Sequence, residues 1–357
     1  MIVTLDNNLF DNEEVDDAIL IQVLKWGGQG KFRVRCSPAY RPNADQPVNH
    51  WIAKKKGALT QTTLEKINDG LVRGTEPAEY VFPAGVSELR IRLQYGGEPD
   101  WPADRRREIC LPLTDTSERF LANPLSVLVE DSDSDWKFLK KVVPDIWKKW
   151  FFRLIEKNWV VPDHCGGIPT LERRIKDTIV VDPQRKYRCF AFFDSESNSR
   201  RRRLEGRTSH LSPSEKAEAL CKTHDIPCHR LYRRATENYV PKASLLEWAG
   251  RAPPSNRERH EKLRRAFLDL PTDEHRHFFP CKNGISQAEN EARAGEGSSI
   301  YDGLSVPDLQ KGFAHGTKEH LADIWTDHSY IMEQSYLAED GSLPEMTELF
   351  LKLLAAV

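Results

Sequence analysis

Carboxylates recur in this chain where apolar runs stop. Glu130 follows Leu125–Val129 and precedes Asp131, Asp133 and Asp135. Asp194 and Glu196 follow Cys189–Phe193, and Glu237 lies shortly beyond Cys228–Leu231. An apolar run of about five residues suits a buried strand and is too short for a helix, so each acidic group falls just past an expected strand. Carboxylates brought together repel one another unless a cation neutralises them, and hard oxygen ligands select Mg²⁺ or Mn²⁺. Two such ions can clamp the attacking and leaving oxygens of a phosphodiester. At alternate positions across a strand end, Asp194 and Glu196 are expected to face one ion with Ser195 turned away, and Glu237 to complete the site.

The elements that must position these acids read as alternating strands and helices from Asn123 onward. After the strand Leu125–Val129, a helical segment spans Trp136–Lys157, divided at Pro144. A strand at Trp159–Val161 leads into Cys165-Gly166-Gly167, and the strand Cys189–Phe193 leads into Asp194-Ser195-Glu196. A helix over Pro213–Thr223 is marked by Ser212 as cap, Pro213 at its first position and Glu215 closing a capping box. Strands separated by helices imply right-handed crossovers and a mainly parallel sheet, with its acids at the carboxyl edge where open α/β folds gather ligands. Ahead of this lies a segment, 1–120, read as a β-rich accessory domain. Its candidate strands are Lys31–Cys36, Glu88–Leu93 and Glu108–Leu113, with a short helix at Thr60–Leu71 and turns at Gly27-Gly28 and Gly96-Gly97. Residues 121–250 form the expected catalytic domain. Residues 251–357 read as a helical C-terminal region with a mobile loop at Asn290–Ser299, and no internal repeat is evident.

Composition narrows the class. The chain has 357 residues, 39% hydrophobic and 30% charged, and a net charge of −2 that argues against whole-molecule attraction to nucleic acid. Charge is uneven, however, with acids crowded near Asp11–Asp17 and arginines at Arg200–Arg203. Seven widely spaced cysteines, an odd number, read as reduced thiols of a cytoplasmic protein. No apolar stretch approaches the ~20 residues of a membrane span. The absence of a G-x-x-x-x-G-K-[ST] run excludes a P-loop, so any ATPase would be a separate subunit. Cys221, His224, Cys228 and His229 have loose zinc-like spacing. Strand alternation separates Cys228 from His229, and core cysteines are the better reading.

The order of these signals resembles the TOPRIM fold, especially the OLD-like (overcoming lysogenization defect) nucleases of bacterial defence systems. The resemblance spans about residues 123–250. It rests on Val129-Glu130-Asp131 with Asp135, Gly166-Gly167, Asp194-Ser195-Glu196 and Glu237-Asn238-Tyr239. Asp131 stands where the family has Gly, and Glu196 where it has Asp. The resemblance implies a TOPRIM-like, Rossmann-like sheet and a Mg²⁺- or Mn²⁺-dependent nuclease acting in anti-phage defence. Glu130 would act as acid/base or metal ligand, while Asp135, Asp194, Glu196 and Glu237 would hold metal and position water. A late lysine, Lys311 or else Lys318, would stabilise charge on the phosphorane.

Arg200, Arg201, Arg202, Arg203 and Arg207 follow the acidic pair directly and suit contacts with a phosphate backbone. Arg233 and Arg234 either extend that surface or pair with Glu237. Two other readings stay open. One is a catalytically silent TOPRIM-like module that binds nucleic acid or a partner ATPase. The other is phosphoryl transfer of the haloacid-dehalogenase kind with Asp194 as nucleophile, which Glu196 and Ser197 fit poorly.

Overall fold

A computed structural model of the chain describes residues 1–75, 87–205, 211–291, 299–313 and 321–357. Two four-stranded sheets, all of whose paired strands are parallel, organise an α/β molecule. The first holds β1 (Ile2–Asp6), β2 (Arg33–Ser37), β3 (Arg90–Gln94) and β4 (Ile109–Pro112) in the order β2-β1-β3-β4. The second holds β5 (Leu125–Val129), β6 (Val160–His164), β7 (Cys189–Phe193) and β8 (Cys228–Arg230) in the order β6-β5-β7-β8.

Residues 1–120 are therefore α/β rather than β-rich. Two helices of 12 and 15 residues, Asp17–Gly28 and Gln61–Thr75, outweigh strands of five, five, five and four. Parallel pairing requires such crossovers, because consecutive parallel strands cannot be joined by a tight turn. On β3, Arg92 is engaged by Asp6 (3.0 Å) and Glu108 (2.7 Å). Gly27 and Gly28 are not a turn. They close the helix Asp17–Gly28 against Gln61–Thr75, where a Cβ on Gly28 would lie 1.8 Å from the Lys66 carbonyl oxygen.

The second sheet is apolar on both faces. Val127, Val129, Phe190 and Phe192 pack on one side with the helices Ser134–Val142 and Asp145–Glu156. Leu128, Cys189, Ala191 and Phe193 pack on the other with Ile168–Arg174 and Pro213–Thr223. Pro144 separates the first pair of helices, and the Ser212–Glu215 capping box is formed, as their residues predict. The C-terminal helices Lys242–Arg251, Pro254–Leu268 and Leu343–Ala356 add Trp248, Phe267, Leu349 and Phe350 to the first of these clusters. They thus complete one face of the sheet. Residues 292–298 of the expected mobile loop lie outside the described residues, and Asn290 belongs to the helix Ile285–Glu291. The short helix Asp323–Thr326 adds Ile324 and Trp325 to the same cluster.

Phe138 is the hub of the core beneath the β5 and β7 ends. Its ring meets Phe192 at 5.9 Å, Tyr239 at 5.7 Å and Trp325 at 4.9 Å between centroids, and it is fully buried. Phe138→Ala should lower unfolding free energy by about 3–5 kcal/mol in urea titrations, with Phe138→Leu costing clearly less.

Candidate functional site

β5 is followed in sequence by β6 on one side and then by β7 on the other, so the crossovers reverse direction between β5 and β7. That reversal opens a crevice at the carboxyl ends of the two strands, the position where open parallel sheets bind ligands. Glu130 and Asp194, the residues that follow β5 and β7, stand there. The Asp194 backbone N–H donates to Glu130 Oε1 at 3.0 Å and joins the two strand ends. The Glu130 carbonyl is held by the N–H groups of Gly166 (2.9 Å) and Gly167 (3.3 Å), whose positive φ angles of 75° and 106° suit glycine.

The other acids arrive from separate elements. Asp135 is buried in the first turn of Ser134–Val142 and accepts the Asp131 N–H at 3.0 Å. Asp194 accepts from the Thr236 N–H at 3.2 Å. Glu237 is buried in the short 3₁₀ turn Thr236–Tyr239 just beyond β8. Burial pushes the Glu130 carboxyl up to about 8, with Asp135 and Glu196 adding to the rise. Burial likewise raises Asp135 to about 6, aided by Glu237 and opposed by the Asp131 N–H. Asp194 is raised well above the carboxylate range by burial and then by Glu130, Asp135 and Glu237. Burial and neighbouring carboxylates thus destabilise the ionised forms of Glu130, Asp135 and Asp194 in one crevice.

Glu196 departs from the expected arrangement. β7 ends at Phe193, and the strand alternation ends with it. The N–H groups of Ser195 and Glu196 both bind the Arg234 carbonyl (3.1 and 3.0 Å), Ser195 is buried, and Glu196 is exposed with φ of +52°. Ser195, expected to point away, is the anchored residue. Its Oγ donates to the Arg233 carbonyl at 2.8 Å.

Lys282 went unnoticed in the sequence. Its Nζ lies 3.7 Å from Glu237 Oε1, and Glu237 leads Asp194, Glu130 and Asp135 in holding its pKa up. It sits in the turn Pro280–Gly284, which is clasped by the 309–313 segment. Phe313 N–H donates to the Cys281 carbonyl at 2.8 Å, and a Cβ on Gly284 would meet Gly312 N at 2.2 Å. Lys311 is exposed within that clasp, and Lys318 lies outside the described residues. Pro280-Cys281-Lys282-Asn283-Gly284 did carry a turn signal, but nothing local linked it to β8. His164, exposed at the end of β6, is a second unforeseen neighbour, its Nδ1 accepting the Ser132 N–H at 3.2 Å. A cleft of about 380 Å³ beside the acids is lined by Asp131, Asp133, Glu237, Lys282 and Asp323 among others.

Asn238 and Tyr239 serve as scaffold. Asn238 Nδ2 donates to the carbonyls of Arg276 (2.8 Å) and Phe279 (2.9 Å). Tyr239 donates to Glu345 Oε2 at 2.5 Å, and Glu345 also meets His229 Nε2 at 3.1 Å. With His229 so engaged, the zinc-like spacing of Cys221–His229 is not a ligand set. Arg233 is buried against Asp340 (2.5 Å) and the Asn238 carbonyl (2.8 Å), and Arg234 is buried beside it. Neither extends an open basic surface.

In the helix Arg200–Glu205, Arg200 and Arg201 are exposed and Arg202 is half-buried. Arg203 donates to the carbonyls of Leu231 (2.8 Å) and Arg230 (2.7 Å) and braces β8. Arg207 lies outside the described residues.

Among the described residues, no group of three or more His, Cys, Asp or Glu side chains stands in a metal-holding arrangement. The carboxylates turn instead to backbone N–H groups and Lys282. The donor set nonetheless fits a hard divalent cation, because it consists of oxygen ligands whose ionised forms repel one another. No described helix is long and apolar enough to cross a membrane. No family model, curated protein or solved structure matches the chain.

Folded Glu130 holds its proton more tightly than the ordinary value of 4.5, so the folded state binds more protons between 4.5 and about 8. Its contribution to stability is fully present below that window and is lost as pH rises through it. In chelator, thermal melting should therefore fall across this range, and Glu130→Gln should flatten the decline. Added Mg²⁺ or Mn²⁺ should raise the melting temperature more at the alkaline end than at the acid end.

Proposed function

We propose that this protein is a metal-dependent nuclease hydrolysing phosphodiester bonds of DNA or RNA. The observation that carries the reading is the gathering of Glu130, Asp135, Asp194 and Glu237 at the β5/β7 reversal, where burial and the neighbouring acids make Glu130, Asp135 and Asp194 costly to ionise. Glu130, Asp135, Asp194 and Glu237 would hold Mg²⁺ or Mn²⁺, with Glu196 at the margin. When bound, the metal would supply charge neutralisation at the scissile phosphate.

The chain's own residues supply the rest. Glu130, raised towards neutrality, is suited to carry a proton to or from a reacting oxygen. Lys282 stands beside Glu237, ready to meet negative charge developing on phosphorus. Arg200 and Arg201 offer exposed cations on the segment that follows Asp194, suited to the sequence-independent phosphate contacts that position a strand. The parallel α/β sheet and the four motifs in their order support a TOPRIM-like, OLD-like assignment. A role in bacterial anti-phage defence, alongside a separate ATPase, rests on that resemblance.

One observation favours a silent binding module instead. Lys282 already pairs with Glu237, and the described acids do not converge as a ready ligand set. Calorimetric titration of Mn²⁺ separates the two readings, with binding expected in the wild type and lost in Asp194→Ala/Glu196→Ala. Incubation of DNA and RNA with Mg²⁺ or Mn²⁺ should give cleavage reduced by about 10²–10³ in Glu130→Ala, Asp194→Ala or Lys282→Ala, the loss typical of deleting one electrostatic stabiliser. Binding that persists in all variants, with no cleavage under either metal, would leave the module reading standing.

A further inference from the structure

On the opposite edge of the second sheet, at the start of β8, a cavity of about 420 Å³ is lined by Cys221 and Cys228 together with Arg105, Arg106, Lys222 and Lys352. Asp225 is the acidic group in that lining. The two cysteines are brought together by a tight connection. Cys221 lies in the last turn of Pro213–Thr223, its carbonyl accepts the Ile226 N–H at 2.9 Å, and Asp225 takes a left-handed φ of +55°. The chain so reversed enters β8 at Cys228, beside the helix it has just left, and both cysteines line the one cavity.

Their environments differ in a useful way. Cys221 is fully buried in the apolar cluster of Leu171, Ala191 and Phe193, whereas Cys228 is partly buried at its margin. Interaction with Cys228, and then burial, hold the Cys221 thiol well above its usual range. Interaction with Cys221 lowers the Cys228 thiol, with Lys352 and Lys222 acting in the same direction against its burial and Glu218. Residue Cys228 is partly buried and shares the cavity lining with Lys222 and Lys352, and nearby cations favour the thiolate. Cys189, on the neighbouring strand, is fully buried with its Sγ bonded to the Lys186 carbonyl at 3.3 Å.

We propose that Cys221 and Cys228 are a redox-active dithiol, in which Cys228 meets a peroxide and Cys221 resolves the product into an intramolecular disulfide. The Cys228 thiolate attacks one oxygen of hydrogen peroxide, the O–O bond breaks, and hydroxide leaves to give a sulfenic acid. The Cys221 sulfur then displaces the sulfenic hydroxyl. The S–S bond forms and, with the Cys221 proton, water departs. Two thiols are oxidised and one peroxide is reduced. This site is independent of the acidic crevice and of any nuclease activity.

The test is to treat the reduced full chain with hydrogen peroxide, block remaining thiols with iodoacetamide, and map the peptides by mass spectrometry. The expected product is lighter by two hydrogens, carries a Cys221–Cys228 linkage and is restored by dithiothreitol. Cys221→Ser should leave a sulfenic acid on Cys228 that dimedone captures, and Cys228→Ser should leave Cys221 unoxidised. Lys352→Ala should slow alkylation of Cys228 several-fold at neutral pH, a readout that does not depend on disulfide formation. The proposal is overturned if peroxide leaves both thiols open to alkylation after unfolding. It is equally overturned if half-exposed Cys110 oxidises in preference to Cys228.

Discussion

Parallel strands buried on both faces leave a chain only their ends for polar chemistry. In the second sheet, β7 is buried along its whole length, and β5 along all but Ser126. A carboxylate within either strand would face apolar side chains and a desolvation cost of several kcal/mol. The acids therefore appear one residue past Val129 and one past Phe193, and the reversal of crossovers puts those two ends side by side. Everything else in the crevice is arranged around this pair. The Gly166-Gly167 turn fixes the backbone of Glu130, the Asp194 N–H fixes its carboxylate, and the 3₁₀ turn after β8 brings Glu237 alongside.

The C-terminal helices are part of this arrangement rather than an appendage. Glu345 reaches back from Leu343–Ala356 to accept from Tyr239 and from the Tyr232 N–H, while Asp340 holds Arg233. Asn238 ties the same turn to the carbonyls of Arg276 and Phe279. The segment that bears Lys282 follows directly. The cation that faces the acids thus depends on contacts between residues well over a hundred positions from Glu130.

The first sheet has the same strand order and offers an instructive contrast. Asp6, at the end of its β1, meets Arg92, which also holds Glu108. An acid at a strand end there is matched by a guanidinium from the adjoining strand. In the second sheet the acids outnumber the cation that faces them, and burial first, then mutual repulsion, raises the pKa values of Glu130, Asp135 and Asp194. That electrostatic imbalance is what singles out the second crevice.

Local chemistry carried much of this in the sequence alone. The apolar runs at Leu125–Val129 and Cys189–Phe193, the break at Pro144 and the Ser212–Glu215 cap each depend on near neighbours, and each is formed as read. The acids past the strands were legible for the same reason. Tertiary structure decided what near neighbours do not encode. β1 became a strand only between β2 and β3, Glu196 turned outward because Arg234 captured its backbone N–H, and Arg203 went to β8 instead of solvent. Lys282 became the cation beside the acids through a turn clasped by the 309–313 segment. Strand and helix signals are written over a few residues, whereas the pairing of charges depends on which distant segments share a desolvated space.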